Sequence, residues 1–402
     1  MFLSWWNPRV WLRAGYLLLM YLPVAFRLWW SGPTEQTTEA LRGTVERSGP
    51  TIIKMAQWLS QRPDVVGRDV ALVLGSLRDR CRPTPLEDLL PVIGDYRDRL
   101  THIDETPLGV GSIAQVHRAR IKTDDPTQTV DVVIKIRHPG IITTMETDLT
   151  ILSHLLRKTR WFDRVDVTEC LRNLSRQTDL RHEAENLERL SSVISVIKGN
   201  EVRVPRLIHV ADTFLVETFC PGSSIAELKT VDPDRYVRMR RLLLTSVVSM
   251  IRRGFLHGDL HDGNVLCDGE TLWLVDFGLM VPLSERDRAI LKELAKGYHA
   301  FYTEGDPTRL IDATQNFTSP LGPTQRDHLR ALLLRSTIRR GDRTLFLSPR
   351  ITELVTTLVD FLHDNELRVS GEILSVLSTI PIVEANVTAE FGVDLIGAGL
   401  KF

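Results

Sequence analysis

The chain has 402 residues, 43% apolar and 25% charged, a length that suits roughly two to three domains. That ordinary globular composition excludes a disordered chain, a collagen and a coiled-coil array. With 50 basic and 51 acidic residues the formal net charge is −1, so no whole-chain field favours nucleic acid. The four cysteines, Cys81, Cys170, Cys220 and Cys267, form no C-x-x-C pair, which predicts reduced thiols in a cytosolic setting rather than a zinc site or disulfide framework.

Residues 1–31 differ from the rest, with five of the eight tryptophans, Arg9, Arg13 and Arg27, and no acid. The run from 10 to 30 is apolar apart from Arg13 and Arg27, but its uncharged centre, 14–26, contains Pro23. A spanning helix needs about 20 apolar residues, so this one crosses a bilayer only if both arginines snorkel. Trp5, Trp6, Trp29 and Trp30 suit the headgroup layer at its two ends. Polar sequence from Thr34 follows without a small-residue cleavage site, which argues against a removed signal peptide. The expectation is a membrane-associating segment, either a marginal span or an interfacial helix, with a helix packed on the body as the alternative. Its removal is expected to release the protein from membranes without unfolding it.

Residues 36–99 read as helical, with breakers at Pro63, Pro83, Pro85 and Pro91. From 101 the texture changes, and 114–121 and 129–137 are short β-rich runs separated by Asp124-Asp125-Pro126. Helical spacing returns over 143–199, broken by Trp161-Phe162-Asp163. Strands follow near 206–210 and 213–218, and Pro221-Gly222 ends them. The span 235–253 is a helix with Leu243, Val247, Met250 and Gly254 along one stripe. Strands at 265–267 and 272–275 bracket the Asp268-Gly269 hairpin signal. Beyond Ser284 everything reads as helix, and no repeat appears.

Several residues carry chemistry. Leu108-Gly109-Val110-Gly111-Ser112-Ile113-Ala114-Gln115-Val116 is a G-x-G-x-x-A-x-V turn whose glycines let backbone amides approach an anion, although glycine turns are common in hairpins. Lys135 interrupts the apolar strand Val132-Val133-Ile134-Lys135-Ile136; taken alone, a strand lysine usually points to solvent. Glu183, on the helix around 181–186, suits it as a partner, whereas Glu185 points elsewhere. The strongest signal is Phe255-Leu256-His257-Gly258-Asp259-Leu260-His261-Asp262-Gly263-Asn264-Val265-Leu266, followed by Leu274-Val275-Asp276-Phe277-Gly278.

This series resembles the protein-kinase order, with Asp259 and Asn264 spaced as in a kinase catalytic loop. The resemblance implies an α+β, bilobal protein-kinase-like fold with an N-terminal helical extension and a helix-rich C-terminal lobe. It further implies ATP and Mg2+ as cofactors. Lys135 would hold phosphates beside Gly109, Gly111 and Ser112, and Glu183 would orient Lys135. Asn264 and Asp276 would ligate the metal, and Asp259 would aim the nucleophile. The stretch from His257 to His261 also resembles the aminoglycoside phosphotransferase and choline-kinase type.

Further segments resemble the UbiB/AarF family of atypical kinases linked to isoprenoid-quinone biosynthesis. Lys54-Met55-Ala56-Gln57, with Ser60, Arg62 and Asp64 following, is similar to its K-x-G-Q helix. Ser112-Ile113-Ala114-Gln115-Val116-His117 is similar to the second half of its nucleotide loop. Val133-Ile134-Lys135-Ile136-Arg137-His138-Pro139-Gly140 is close to its lysine strand. Gln177-Thr178-Asp179 and Glu183-Ala184-Glu185-Asn186 follow its E-x-D helix. Lys54, Gln57 and Gln61 share a helix face, and the resemblance makes Lys54, Gln57 and Asp179 parts of a regulatory lid. Ala56 replaces the motif glycine, Gln177 a glutamate, and Gly109 and Gly111 alanines; the family's C-terminal hydrophobic pair is absent, 393–402 being too short to span.

The resulting layout is a hydrophobic membrane-associating segment (1–31), a helical extension with the K-x-G-Q-like motif (36–100), a kinase-like N-lobe (101–220), and a C-lobe with C-terminal helices (221–402). The resemblance implies an atypical kinase or ATPase, membrane-associated with a cytoplasmic body. Its partners would be membrane lipids or prenylated quinone precursors and quinone-biosynthesis proteins, and no nucleic acid. A small-molecule phosphotransferase and a non-catalytic nucleotide-binding scaffold are the alternatives.

Overall fold

A computed structural model describes residues 4–32, 34–60, 74, 83–123, 125, 128–156, 178–194, 201–335, 338–340, 345–347, 351–365, 367, 369–377 and 379. Gln61, Arg62, Asp64, Trp161-Phe162-Asp163, Gln177 and 393–402 lie outside them. The chain divides into two compact units, Met1–Ala184 with Arg206–Phe219, and Glu185–Pro205 with Cys220–Phe402.

The first unit opens with helix α1 (Pro8–Ser31), which starts as its sequence dictates: the Asn7 side chain accepts from the Arg9 amide, and Pro8 needs no donor there. It continues through Pro23 and stops at Gly32, whose φ of +68° is left-handed. One side of α1 buries Val10 and Val24. The same side brings Tyr21 against Val45 and Leu41 of α2 (Glu35–Arg47) and Ile53 and Ala56 of α3 (Pro50–Ser60). The other side exposes Leu12, Leu19, Leu22, Phe26, Trp29 and Trp30.

Arg13 turns inward, its Nε and Nη2 donating to the two carboxylate oxygens of Asp148 at 2.8 and 3.0 Å. Nη2 also donates to the Ser48 carbonyl. Asp148, on α4 (Ile141–Leu156), is fully buried. This corrects the expectation that residues 1–31 come away cleanly, because their removal would leave a buried carboxylate without its counter-charge. Among the described residues no helix is long and apolar enough to cross a membrane.

A six-stranded sheet follows, in the order β1 (Leu100–Ile103), β3 (Ala114–Lys122), β4 (Thr129–Arg137), β7 (Phe214–Thr218), β6 (Leu207–Val210), with β2 (Gly109–Val110) also paired to β3. Alternation sorts its two faces. Ala119, Ile121, Val132, Ile134, Ile136, Phe214 and Val216 enclose a core with Leu89, Ile93 and Tyr96. On the other face Leu215 packs against Leu180 and Ala184 of α5 (Leu180–Ile194). The unit boundary falls within α5.

The second unit holds a four-stranded sheet, β5 (Val202–Arg203), β11 (Thr271–Leu274), β10 (Val265–Asp268), β8 (Ser223–Ser224), and a pair of β9 (Phe255–His257) with β12 (Met280–Pro282). The long helix α6 (Pro233–Arg252) buries Leu243, Val247 and Met250, the stripe expected from its sequence. Beyond Ser284 the helix-only expectation fails: 338–340 and 345–347 pair antiparallel. Both strands are three residues long, too short for a period-two pattern to stand out from helical neighbours.

Candidate functional site

In the first unit the glycine turn is built tightly. Gly109 and Val110 pair with Val116 and Gln115, and the Gly111 N–H donates to the Ala114 carbonyl at 2.9 Å. A Cβ at Gly109 would meet nothing within 4 Å, so the space above the turn is open. The Ser112 hydroxyl is buried and, among the described residues, has no hydrogen-bond partner. A buried orphan hydroxyl in such a turn is a costly feature unless a ligand satisfies it.

Lys135 stands opposite Val116 in the β3–β4 register, on the sheet face away from Ile134 and Ile136. Its Nζ donates to Glu183 Oε1 at 2.7 Å, and both side chains are largely shielded from water. Helix α5 presents Glu183 because Leu180 and Ala184, three positions before and one after, pack on the sheet and fix that face. Asp179 caps the same helix, its Oδ1 accepting from the Arg181 amide at 3.0 Å. Lys54 and Gln57 lie half-buried on α3, one turn apart.

In the second unit the residues of the 257–264 loop form one hydrogen-bonded assembly. His257 is fully buried; its Nε2–H donates to the Val275 carbonyl at 3.2 Å, and its Nδ1 accepts from the Asp259 amide at 3.2 Å. Burial pushes its pKa below the usual imidazole value, which favours the neutral ring, and the two hydrogen bonds set its tautomer. His257 thereby ties the loop bearing Asp259 to the strand end bearing Asp276. Asn264 donates through Nδ2 to the Asp259 carbonyl at 2.9 Å, which leaves Oδ1 as the atom able to meet a cation. The Val275 amide donates to the Asn264 carbonyl at 3.1 Å, so Asn264 and Asp276 sit at the ends of paired strands. His261 approaches Asp259 only to 4.0 Å.

Asp276 is the sole non-glycine residue with positive φ among the described residues, at +63°. That conformation costs about 1–2 kcal/mol for an L residue. The Asp276 carboxylate offsets part of it by accepting the Gly278 amide at 3.2 Å. Strain retained at one acidic residue before a buried Phe277 is a feature that clusters at functional sites in proteins generally.

Each unit thus gathers its own share of the residues singled out in the sequence. Supporting groups went unassigned there. Asn186 donates to the Phe277 carbonyl at 2.9 Å. Buried Arg240 pairs with Asp262 and the Tyr236 hydroxyl. Thr84, Gln115 and His138 make a network behind the glycine turn. The quoted Gln-Val-His and His-Pro-Gly segments contained Gln115 and His138 but not Thr84, and pairing across 54 positions leaves no spacing signal.

Comparison with known proteins bears on the family and the fold. The chain is 30% identical over 287 residues to a Clostridium pasteurianum protein described as an uncharacterized protein in the hydrogenase 1 5′ region, covering 66% of this chain and 52% of that one. It is 28% identical to ACTIVITY OF BC1 COMPLEX KINASE 8, chloroplastic, of Arabidopsis thaliana, covering 68% and 37%. It is 29% identical to the probable protein kinase UbiB of Xanthomonas campestris pv. campestris, covering 63% and 50%. The chain therefore spans about half or less of the length of these relatives. A solved structure, the complex of Rv3197 with erythromycin from Mycobacterium tuberculosis, shares the fold with a TM-score of 0.50 at 19% identity, over 77% of this chain and 83% of that one. The ABC1 atypical kinase-like domain matches residues 76–304, more than half of the chain, and the protein belongs to that family, among relatives named UbiB.

Proposed function

We propose that the chain binds Mg·ATP and transfers its γ-phosphoryl group to water or a hydroxyl acceptor at a membrane surface. The Lys135–Glu183 pair at 2.7 Å carries this reading, on the same sheet as a turn whose buried Ser112 hydroxyl has no partner among the described residues. A shielded carboxylate keeps the ammonium charged and stationary, ready to meet phosphate oxygens. Gly109, Gly111 and Ser112 supply the cradle.

Mg2+ keeps waters and phosphate oxygens as ligands and needs only one or two from the protein. Asn264 Oδ1 and the Asp276 carboxylate would hold it, and the chemistry it would supply there is neutralisation of phosphate charge. Asp259, 42% exposed, would orient the attacking oxygen and take its proton. We assign Lys54, Gln57 and Asp179 to a regulatory lid, with the Asp179 carboxylate also serving as a helix cap.

The outer stripe of α1, with Arg9 and Arg27 and tryptophans toward both ends, supports an interfacial helix against anionic lipid. The resemblance of the chain's motifs to the UbiB family motivates an isoprenoid-quinone precursor, or a protein that handles one, as the partner, with the kinase-like body on the cytoplasmic side. The test is phosphate release from ATP with and without vesicles, beside an Asp276→Asn control. Release in wild type alone supports the reading. Transfer of label to an added small alcohol would favour a phosphotransferase, and neither product would leave a nucleotide-binding scaffold.

A further inference from the structure

We propose that His138 is a positioning residue for the nucleotide, a clamp on the back of the glycine turn that acts without touching the ligand; this rests on the ATP-binding reading above. Its Nε2 lies 3.0 Å from the Gly111 carbonyl, and its backbone N–H donates to the Ile113 carbonyl at 2.9 Å. One residue, three positions after Lys135, therefore holds two carbonyls of the turn.

The chemistry of this contact is one-directional. A carbonyl only accepts, so Nε2 carries a hydrogen, and in the neutral ring Nδ1 then accepts from the Thr84 hydroxyl, 2.9 Å away. Thr84 is fixed in turn by the side chain of Gln115, whose Oε1 accepts from the Thr84 amide at 2.8 Å and whose Nε2 donates to its carbonyl at 3.0 Å. The second Nε2 hydrogen points to His117 Nε2 at 2.7 Å, and the opposite His117 nitrogen lies 2.7 Å from the Asp104 carbonyl. Gln115 and His117 are fully buried, on the sheet face opposite Lys135. Each donated hydrogen in this network meets one acceptor, Gln115 Nε2 spending its two on Thr84 and His117, so the contacts reinforce one another.

The consequence follows from peptide planarity. The Gly111 carbonyl and the Ser112 N–H belong to one trans peptide and point in opposite directions. Holding the carbonyl toward His138 aims the Ser112 amide the other way, beside the orphan Ser112 hydroxyl, and blocks the flip that would present a carbonyl to phosphate. His138 thus sets the polarity of the cradle.

The test compares wild type, His138→Ala and His138→Gln, in which the longer amide can still donate to Gly111 and accept from Thr84. His138→Ala should raise the KM for Mg·ATP about tenfold while kcat changes less than about threefold, and His138→Gln should recover most of the affinity. Loss of kcat with KM unchanged, or no recovery in His138→Gln, would overturn the clamp. Should His138→Ala fail to fold, Thr84→Val decides: a KM increase of about threefold with kcat kept supports it, and wild-type kinetics overturn it. Wild-type protein that binds no Mg·ATP by titration calorimetry would overturn both readings. Wild type that binds, with His138→Ala binding equally, would overturn the clamp alone.

Discussion

Replacing Arg13 with methionine keeps most of the aliphatic packing of α1 while removing the only cation seen to pair with the buried Asp148 carboxylate among the described residues. Truncating one member of a buried ion pair costs about 3–5 kcal/mol, because the partner charge stays behind in a poorly solvated site. Arg13 retains 21% side-chain exposure, so water can partly replace it and the lower end of that range applies. The Ser48 carbonyl loses a donor at the same time, adding about 1 kcal/mol. The total, about 4 kcal/mol, corresponds to a fall of roughly 10 °C in the midpoint of a unit this size. Removing both charges together, in Arg13→Met with Asp148→Leu, should recover at least half of the loss. Thermal and urea unfolding of the single variants and the pair measure this directly. If Arg13→Met lies within 1 kcal/mol of wild type, or the double variant is simply additive, the pair is not what fixes α1 to the body.

Four other outcomes follow from the geometry. Lys135→Ala should abolish most thermal stabilisation by Mg·ATP, and Glu183→Gln should weaken it; unchanged shifts in both would remove these residues from the site. Asp276→Gly should lose turnover yet be more stable than Asp276→Ala by about 1 kcal/mol, since glycine takes positive φ without strain; equal melting points would contradict this. Burial depresses the His257 pKa below 6.5, so the unfolded chain binds the extra proton and stability falls as pH drops below about 6.5; His257→Gln should flatten that acid slope by up to about 1.4 kcal/mol per pH unit. Leu19→Glu with Trp29→Glu, both on the exposed side of α1, should abolish sedimentation with anionic vesicles while leaving the melting point within about 2 °C.

The parts of the fold legible in the sequence are those where burial imposes a period. Strands β3 and β4 match the runs expected at 114–121 and 129–137 because each alternates against a single core. Helix α6 was readable for the same reason at period 3.6. The sequence was misleading where one residue serves two ends. Arg13 reads as a snorkelling cation beside an apolar run, and only the fold brings Asp148, 135 positions away, within 2.8 Å of it. An acid so distant has no footprint in local composition, so a tethered helix and a detachable anchor look alike.

The site divides along the same line. Lys135, Asp259, Asn264 and Asp276 stand out because each belongs to a short motif whose spacing is set by one turn or one hairpin. What shapes those motifs is non-local: His257 links the loop to the Val275 carbonyl across 18 positions, and Thr84 reaches His138 across 54. Backbone carbonyls are the partners in several of these contacts, and a carbonyl exists at every position whatever the residue. The donor is therefore visible in the sequence while its acceptor is not, which is why His257 and His138 could be quoted within motifs yet given no role. The φ of +63° at Asp276 is hidden for a related reason, since nothing in Leu-Val-Asp-Phe-Gly favours the left-handed region except the Asp carboxylate reaching back to the Gly278 amide. The chemistry at these positions is thus written in side chains, and its aim is written in the peptide groups they hold.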